Sequence, residues 1–226
     1  MFSLKLFSKC CADEWLQVFK VNKETFYFEA GQRIFTEGEI VKGIFFVEKG
    51  NIKVLSKAYD KTDKIIRLAS TGMILGHRGF NAKRYPVSAE ALTQTIVTFI
   101  PLNVFLSILK VSPEMVIYLL NFMSDELQEA ELRMKNLIIL DPKVRIAIIL
   151  LKLVEVFGYQ KKEVKNLLSF TISRTDMANM GGTTYETVIR TLAIFKRDKV
   201  IGFEGKEIAI LNEKKLRQIA SGKMKN

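Results

Sequence analysis

The sequence predicts an α+β chain in three parts: an N-terminal β-roll, one long helix and a C-terminal winged helix-turn-helix. Three observations predict it. Between Phe26 and Pro101, short stretches rich in β-branched and aromatic residues are punctuated by glycines, as in a small barrel or roll. Beyond Ser112 an apolar seam is sustained over about three heptads. From Thr171, two short helical patterns are joined by Gly181-Gly182 and followed by a hairpin pattern with glycine in its turn.

Taken in order, Met1 to Phe19 carries Lys5, Lys9, Asp13 and Glu14 within its apolar pattern, which predicts a short amphipathic helix rather than a signal peptide. Strands are expected at Gly43-Ile-Phe-Phe-Val-Glu48, Asn51-Ile-Lys-Val-Leu55 and Thr95-Ile-Val-Thr-Phe-Ile100, among the punctuating Gly31, Gly38, Gly43, Gly50, Gly72, Gly76 and Gly79. The polar break Tyr59-Asp-Lys-Thr-Asp-Lys64 reads as a hairpin loop. Ser112-Pro113 opens the long helix, Ser as cap and Pro in the first turn. Within it Val116, Leu120, Met123, Leu127, Ala130, Met134 and Leu137 recur at alternating steps of four and three, flanked by charged residues. Such a seam needs a partner: a second copy in a parallel coiled coil, or an intramolecular stripe. Asp141-Pro142 restarts a helix that Gly158 closes. The expected division is therefore 1–111 roll, 112–140 long dimerisation helix and 141–226 winged helix-turn-helix.

Composition narrows the function classes. With 48% hydrophobic and 10% aromatic residues the chain has a core to bury, and no apolar run approaches the roughly 20 residues that span a bilayer, which points to the cytoplasm. The only cysteines, Cys10 and Cys11, are sequence neighbours, a spacing that rarely suits a bridge. An iron–sulfur cluster usually needs four thiolates, so two reduced thiols are the plain reading, a redox or metal role the alternative. A single histidine supplies no metal-dependent catalytic cluster, and no P-loop, nucleophile elbow or Cys–His pair is present; no catalytic residue and no metal site are expected. Residues 1–140 hold 18 Lys or Arg against 15 Asp or Glu, whereas residues 141–226 hold 17 against 9. The basic excess thus sits at the C-terminal end, where a polyanion would be met.

In that basic part Ser173 caps a helix from Arg174 to Met180, Gly181-Gly182 turns, and Thr183 or Thr184 caps a second helix ending near Lys196. At about 100° per residue Val188, Leu192 and Phe195 share a core stripe, with Glu186 and Arg190 on the opposite face. A solvent-facing pair on any surface helix would look the same. On a recognition helix, Arg190 donates two bonds to guanine and Glu186 accepts from cytosine. The hairpin around Gly205 supplies a wing, with Lys206 placed for a phosphate.

Nearly the whole chain resembles the cyclic-AMP receptor protein/FNR (Crp/Fnr) family of bacterial regulators. The resemblance lies in Gly31-Gln-Arg-Ile-Phe-Thr-Glu-Gly38, Phe45-Phe-Val-Glu-Lys-Gly50-Asn-Ile-Lys-Val54 and Leu140-Asp-Pro-Lys-Val-Arg-Ile-Ala-Ile-Ile-Leu-Leu151. Most specific is Gly182-Thr-Thr-Tyr-Glu-Thr-Val-Ile-Arg-Thr-Leu192. It implies a cyclic-nucleotide-binding-like roll and a homodimer on palindromic double-stranded DNA, with RNA polymerase as a further partner and no membrane. It also implies base reading by Glu186 and Arg190 and backbone contacts from Ser173, Arg174, Thr175, Thr184 and Thr187. Tyr185 stands where an arginine is common, so one base contact departs from the pattern.

The roll departs further. The family's Gly-Glu-Leu/Ile element for the ribose becomes Gly76-His77-Arg78-Gly79. The Arg-Ser/Thr-Ala element for the phosphate becomes Tyr85-Pro86-Val87-Ser88-Ala89, without its arginine. A cyclic phosphate buried without a cationic partner is costly, so cyclic AMP is not the expected effector. The candidate ligand pocket is Gly76, His77, Arg78, Tyr85 and Ser88. His77 resembles the histidine of a haem-containing branch, but one matching ligand specifies no haem. No cofactor is specified, and the roll either senses an unidentified ligand or is a vestigial scaffold. Two alternatives stay open: a haem- or small-molecule-sensing regulator using His77, and a module whose helix-turn-helix docks a protein instead of DNA.

Overall fold

In the computed structural model, which describes residues 1–59, 62–160 and 166–222, the chain opens with two helices, α1 (Phe2–Cys10) and α2 (Asp13–Asn22). The single amphipathic helix expected over Met1 to Phe19 is therefore broken. Ala12 is extended (φ −62°, ψ 157°), and Asp13 and Glu14 restart the helix in its first turn, where carboxylates favour the N-terminal dipole. The start of α1 is held by a residue far along the chain: the Glu48 carboxylate accepts the Phe2 and Ser3 amides and the hydroxyls of Ser3 and Thr98.

Eight strands follow: β1 (Glu24–Phe28), β2 (Arg33–Phe35), β3 (Gly43–Lys49), β4 (Asn51–Lys57), β5 (Asp63–Ser70), β6 (Ile74–Leu75), β7 (Ser88–Ala91) and β8 (Thr95–Pro101). They form two antiparallel four-stranded sheets, ordered β1-β8-β3-β6 and β2-β7-β4-β5. The expected β4–β5 hairpin is present; Asp63 and Lys64 already belong to β5, and Asp60 and Lys61 lie outside the described residues. The uninterrupted apolar run of β3 has a physical reason. Successive side chains point to opposite faces, and both faces are covered. Phe45 and Val47 join Phe35, Val54, Tyr85 and Val97 inside the roll. Ile44 and Phe46 face a second core built with Phe7, Phe19 and Phe105.

The helical partners of that second core include α3 (Leu102–Val111) and the start of α4 (Pro113–Ile139), the long helix. Ser112 joins them as expected: its hydroxyl accepts the Met115 amide at 3.3 Å and donates to the Cys10 carbonyl at 2.5 Å. Along α4, Leu120, Leu127 and Met134 are about 60% exposed, while Val116, Met123 and Ala130 are half-buried. No single helix among the described residues is long and apolar enough to cross a membrane.

The chain divides into two compact units, Met1–Gln128 and Glu129–Asn226. The second contains the last turns of α4, then α5 (Pro142–Phe157), α6 (Arg174–Gly181), α7 (Tyr185–Arg197), the hairpin β9 (Ile201–Glu204) and β10 (Glu207–Ile210), and α8 (Glu213–Ala220). Asp141 precedes α5 in extended conformation with Pro142 at its first position, but its side chain makes no capping bond. The core of this unit is Ile146, Leu150 and Leu153 of α5 with Val188, Leu192 and Phe195 of α7, Ile201 and Ile208 of the hairpin and Leu216 of α8.

Candidate nucleic-acid interface and effector pocket

The two helices α6 and α7 owe their relation to the turn between them. Ser173 caps α6, its hydroxyl oxygen accepting the Asp176 amide at 3.0 Å. Gly181 closes that helix against α5, where an added Cβ would lie 3.2 Å from Ile146 Cδ1. Gly182 takes the left-handed conformation (φ 55°), which L side chains adopt at a cost. Thr184 is the cap of α7, its hydroxyl oxygen accepting the Thr187 amide at 3.2 Å. This decides between Thr183 and Thr184.

The face assignment on α7 follows from burial. Val188, Leu192 and Phe195 are buried, and Glu186 and Arg190 are exposed on the other side with Tyr185 and Ile189 beside them. No salt bridge joins Glu186 to Arg190, and Arg190 makes no hydrogen bond among the described residues. Its five donors are thus available. The Glu186 carboxyl is held below its ordinary range, first by its own backbone amide and then by Thr184. It is an ionised acceptor.

The wing is fastened to α6. The Arg174 guanidinium donates to the Lys206 carbonyl at 3.3 Å and stands 5.5 Å from the Phe203 ring centroid, with Lys196 Nζ 5.6 Å from the same ring. Burial lowers the Arg174 pKa from its usual value. Thr175 and the Lys206 side chain are exposed. Of the residues named from sequence, Thr184 and Ser173 commit their hydroxyls to caps, and Arg174 splits its donors between wing and solvent.

Sequence reasoning missed Arg145. From α5 it donates to the Leu137 carbonyl at 2.8 Å and the Gly182 carbonyl at 3.2 Å, tying the end of α4 to the helix-turn-helix turn. Leu137 packs on the same turn: a Cβ on Gly182 would meet its Cδ2 at 2.7 Å. One seam residue therefore has an intramolecular contact as well. Only its position after Asp141-Pro142 marks Arg145 in the sequence, and its partners lie 8 and 37 residues away.

In the other unit, Gly76, His77, Arg78 and Tyr85 line a small cavity with Phe35, Val54 and Arg67. Ser88 lies outside that lining; it is buried and its hydroxyl accepts the Glu37 amide at 2.9 Å. The cavity measures about 10 Å³, room for roughly one water. Tyr85 fills the rest, stacked 4.3 Å from Phe35 with its hydroxyl donating to the Gly43 carbonyl at 2.9 Å. Drug-sized ligands occupy roughly 300–1,000 Å³, so neither a nucleotide nor a porphyrin fits this arrangement. His77 is not turned to an open site: its Nε2 lies 3.0 Å from Glu126 Oε2 on α4, and Phe122 packs edge-on at 5.0 Å. Among the described residues no group of three or more His, Cys, Asp or Glu is placed to hold a metal.

A β-roll, a long helix and a capped helix-turn-helix with a wing are together the architecture of a helix-turn-helix transcription regulator. Comparison with known proteins agrees. Residues 25–112 match the cyclic nucleotide-binding domain family and residues 144–219 the Crp-like helix-turn-helix domain. The chain is 26% identical to electron transport regulator A of Shewanella oneidensis, over 85% of this chain and 76% of that protein. It is 28% identical to the transcriptional activator protein anr of Pseudomonas aeruginosa, over 86% and 79%. In fold it is similar to FixK2 from Bradyrhizobium japonicum, with a TM-score of 0.75 at 22% identity, covering 87% of this chain and 96% of that one. The chain belongs to the Crp/Fnr family of transcription regulators, a family of DNA-binding proteins and not of enzymes.

Proposed function

We propose that the protein works as a cytoplasmic homodimer that reads a twofold-symmetric operator with Glu186 and Arg190 and meets RNA polymerase there. In this reading residues 1–111 are the sensor, 112–140 the dimerisation helix and 141–226 the DNA-binding domain. The observation that carries it is the sidedness of α7: an unpaired guanidinium and an ionised carboxylate stand one turn apart, opposite a buried apolar stripe. An exposed arginine at this place on a second helix is suited to guanine O6 and N7, and the glutamate to the cytosine amino group. Ser173, Arg174, Thr175, Thr184, Thr187 and Lys206 surround the pair and contact phosphates, and Tyr185 presents a half-exposed ring where an arginine is common in the family.

Dimerisation is supported by the row of exposed leucines and methionine on α4, which costs hydrophobic free energy unless covered. The roll is the sensor, with Gly76, His77, Arg78, Tyr85 and Ser88 at or beside its pocket. Its effector is neither a cyclic nucleotide nor haem, a reading supported by the nearly filled cavity. The test is a selection from randomised duplexes followed by the variants Glu186→Ala and Arg190→Ala. Wild type is expected to enrich a palindrome, and Arg190→Ala to lose about 1–3 kcal/mol of discrimination while folding and dimer mass stay unchanged. Unaltered sequence preference in both variants would favour a protein-docking role for the helix-turn-helix.

A further inference from the structure

The outward face of α7 is not uniformly polar. Val188, Leu192 and Phe195 are buried and Ile194 is half-buried, whereas Tyr185 and Ile189 are 50% and 42% exposed. A single exposed apolar side chain needs no explanation, but these two stand one turn apart, and Ala193, also exposed, continues their row. At about 100° per residue Ile189 lies about 60° from Glu186, so the row runs along the flank of the Glu186 and Arg190 pair. A rise of about 1.5 Å per residue sets Ile189 about 4.5 Å beyond Glu186 along the helix axis, comparable with the roughly 3.4 Å between stacked base pairs.

We propose that Ile189 reads thymine: its side chain meets the C5-methyl group of a thymine in the base pair beside the one engaged by Glu186 and Arg190. The chemistry selects that base. Isoleucine has neither donor nor acceptor in its side chain, and in the major groove thymine is the base whose edge carries a methyl group. Guanine N7 and O6, adenine N7 and the amino groups of adenine and cytosine would lose water against an apolar side chain and gain no partner, which is costly. Ile189 therefore attracts one base and disfavours the others. The half-exposed Tyr185 ring, one turn earlier, walls the same flank. That flank holds a phenol ring where an arginine is common in the family, so discrimination there passes from hydrogen bonding to methyl contact. The inference rests on the reading of α7 as the recognition helix and adds a base that Glu186 and Arg190 do not read.

Deoxyuridine lacks only the C5-methyl group of thymidine, so it removes the contact without altering a hydrogen bond. In the operator selected by the full-length protein, each thymine and its symmetric mate are replaced in turn by deoxyuridine. Affinity is read by fluorescence anisotropy at one fixed salt concentration for wild type, Ile189→Ala and Ile189→Val. At one position per half-site the replacement is expected to weaken wild type about fourfold, the effect of one buried methyl group, and about 15-fold when both half-sites are changed. Ile189→Ala should lose less than about twofold there, and Ile189→Val, still branched and apolar, should keep most of the penalty. Both variants should keep the circular dichroism spectrum of wild type, because Ile189 lies outside the buried stripe of α7. A selected half-site without thymine, or uracil penalties equal in wild type and Ile189→Ala at every position, overturns the proposal. If Arg190→Ala still abolishes the guanine preference in that case, the recognition-helix reading stands while the thymine contact falls. A protein that enriches no duplex loses both.

Discussion

A carboxylate surrounded by cationic side chains titrates unlike one in water. Burial pushes the Glu126 carboxyl up, but the hydrogen bond from His77, then Arg67 and Arg78, outweigh burial and hold it below the usual range. A depressed folded-state value means a stabilising contribution that is complete above the ordinary glutamate pKa and is lost as pH falls through the lower, folded value. Glu126→Gln is therefore expected to flatten the acid limb of the stability curve. Urea midpoints measured from about pH 5 to pH 3 should fall less in the variant than in wild type. Equal slopes would mean that Glu126 contributes no acid-sensitive stability. At Glu186 the same kind of depression arises in the open, from its own amide and Thr184, and keeps the exposed side chain a pure acceptor.

Among the elements, α7 depends most on local chemistry. Thr184 satisfies one of the free amides of its first turn. Thr184→Ala is expected to cost about 1 kcal/mol in chemical denaturation, with the loss confined to the Glu129–Asn226 unit. How far such elements were legible in the sequence depended on where their determinants lie. The core stripe of α7 was legible because Val188, Leu192 and Phe195 are separated by four and three residues, a spacing that itself encodes a face. The cap was ambiguous because Thr183 and Thr184 both offer a hydroxyl and only backbone geometry separates them. The break of the N-terminal segment into α1 and α2 was hidden because the apolar pattern continues across Cys11-Ala12, while Asp13 and Glu14 carried the restart signal. Ser88 was grouped with the pocket because it falls in the counterpart of the family's Arg-Ser/Thr-Ala element; it lies outside the lining of the small cavity, and its hydroxyl accepts the Glu37 amide. Arg145, Glu48 and Glu126 were illegible. Apart from Leu137, 8 residues from Arg145, their partners lie tens of residues away, and no local pattern records which distant carbonyl, amide or ring a polar side chain will meet.

Across the whole molecule, the basic excess and the apolar seam fall on different parts of the chain. The residues from 141 onward, with 17 Lys or Arg against 9 Asp or Glu, carry most of the net positive charge of +11, and α4 carries the exposed Leu120, Leu127 and Met134. This separation is what a dimeric polyanion binder requires, since one surface must be covered while the other stays open. Leu127→Lys is expected to convert the dimer to a monomer in sedimentation equilibrium without altering the circular dichroism spectrum, because the side chain is already 60% exposed within one chain. An undissociated dimer would place the interface elsewhere than on this seam. Operator affinity should fall with the dimer, as two half-sites one DNA turn apart need two linked recognition helices.

The central claim is that Arg190 reads a particular base. The direct measurement is a mutant cycle: wild type and Arg190→Ala, each against the selected operator and against that operator with a single symmetric guanine replaced, at one fixed salt concentration. The account predicts that replacing the guanine costs wild type about 1–3 kcal/mol per half-site and costs Arg190→Ala almost nothing, at that position alone. Equal penalties in the two proteins at every guanine of the operator would contradict it.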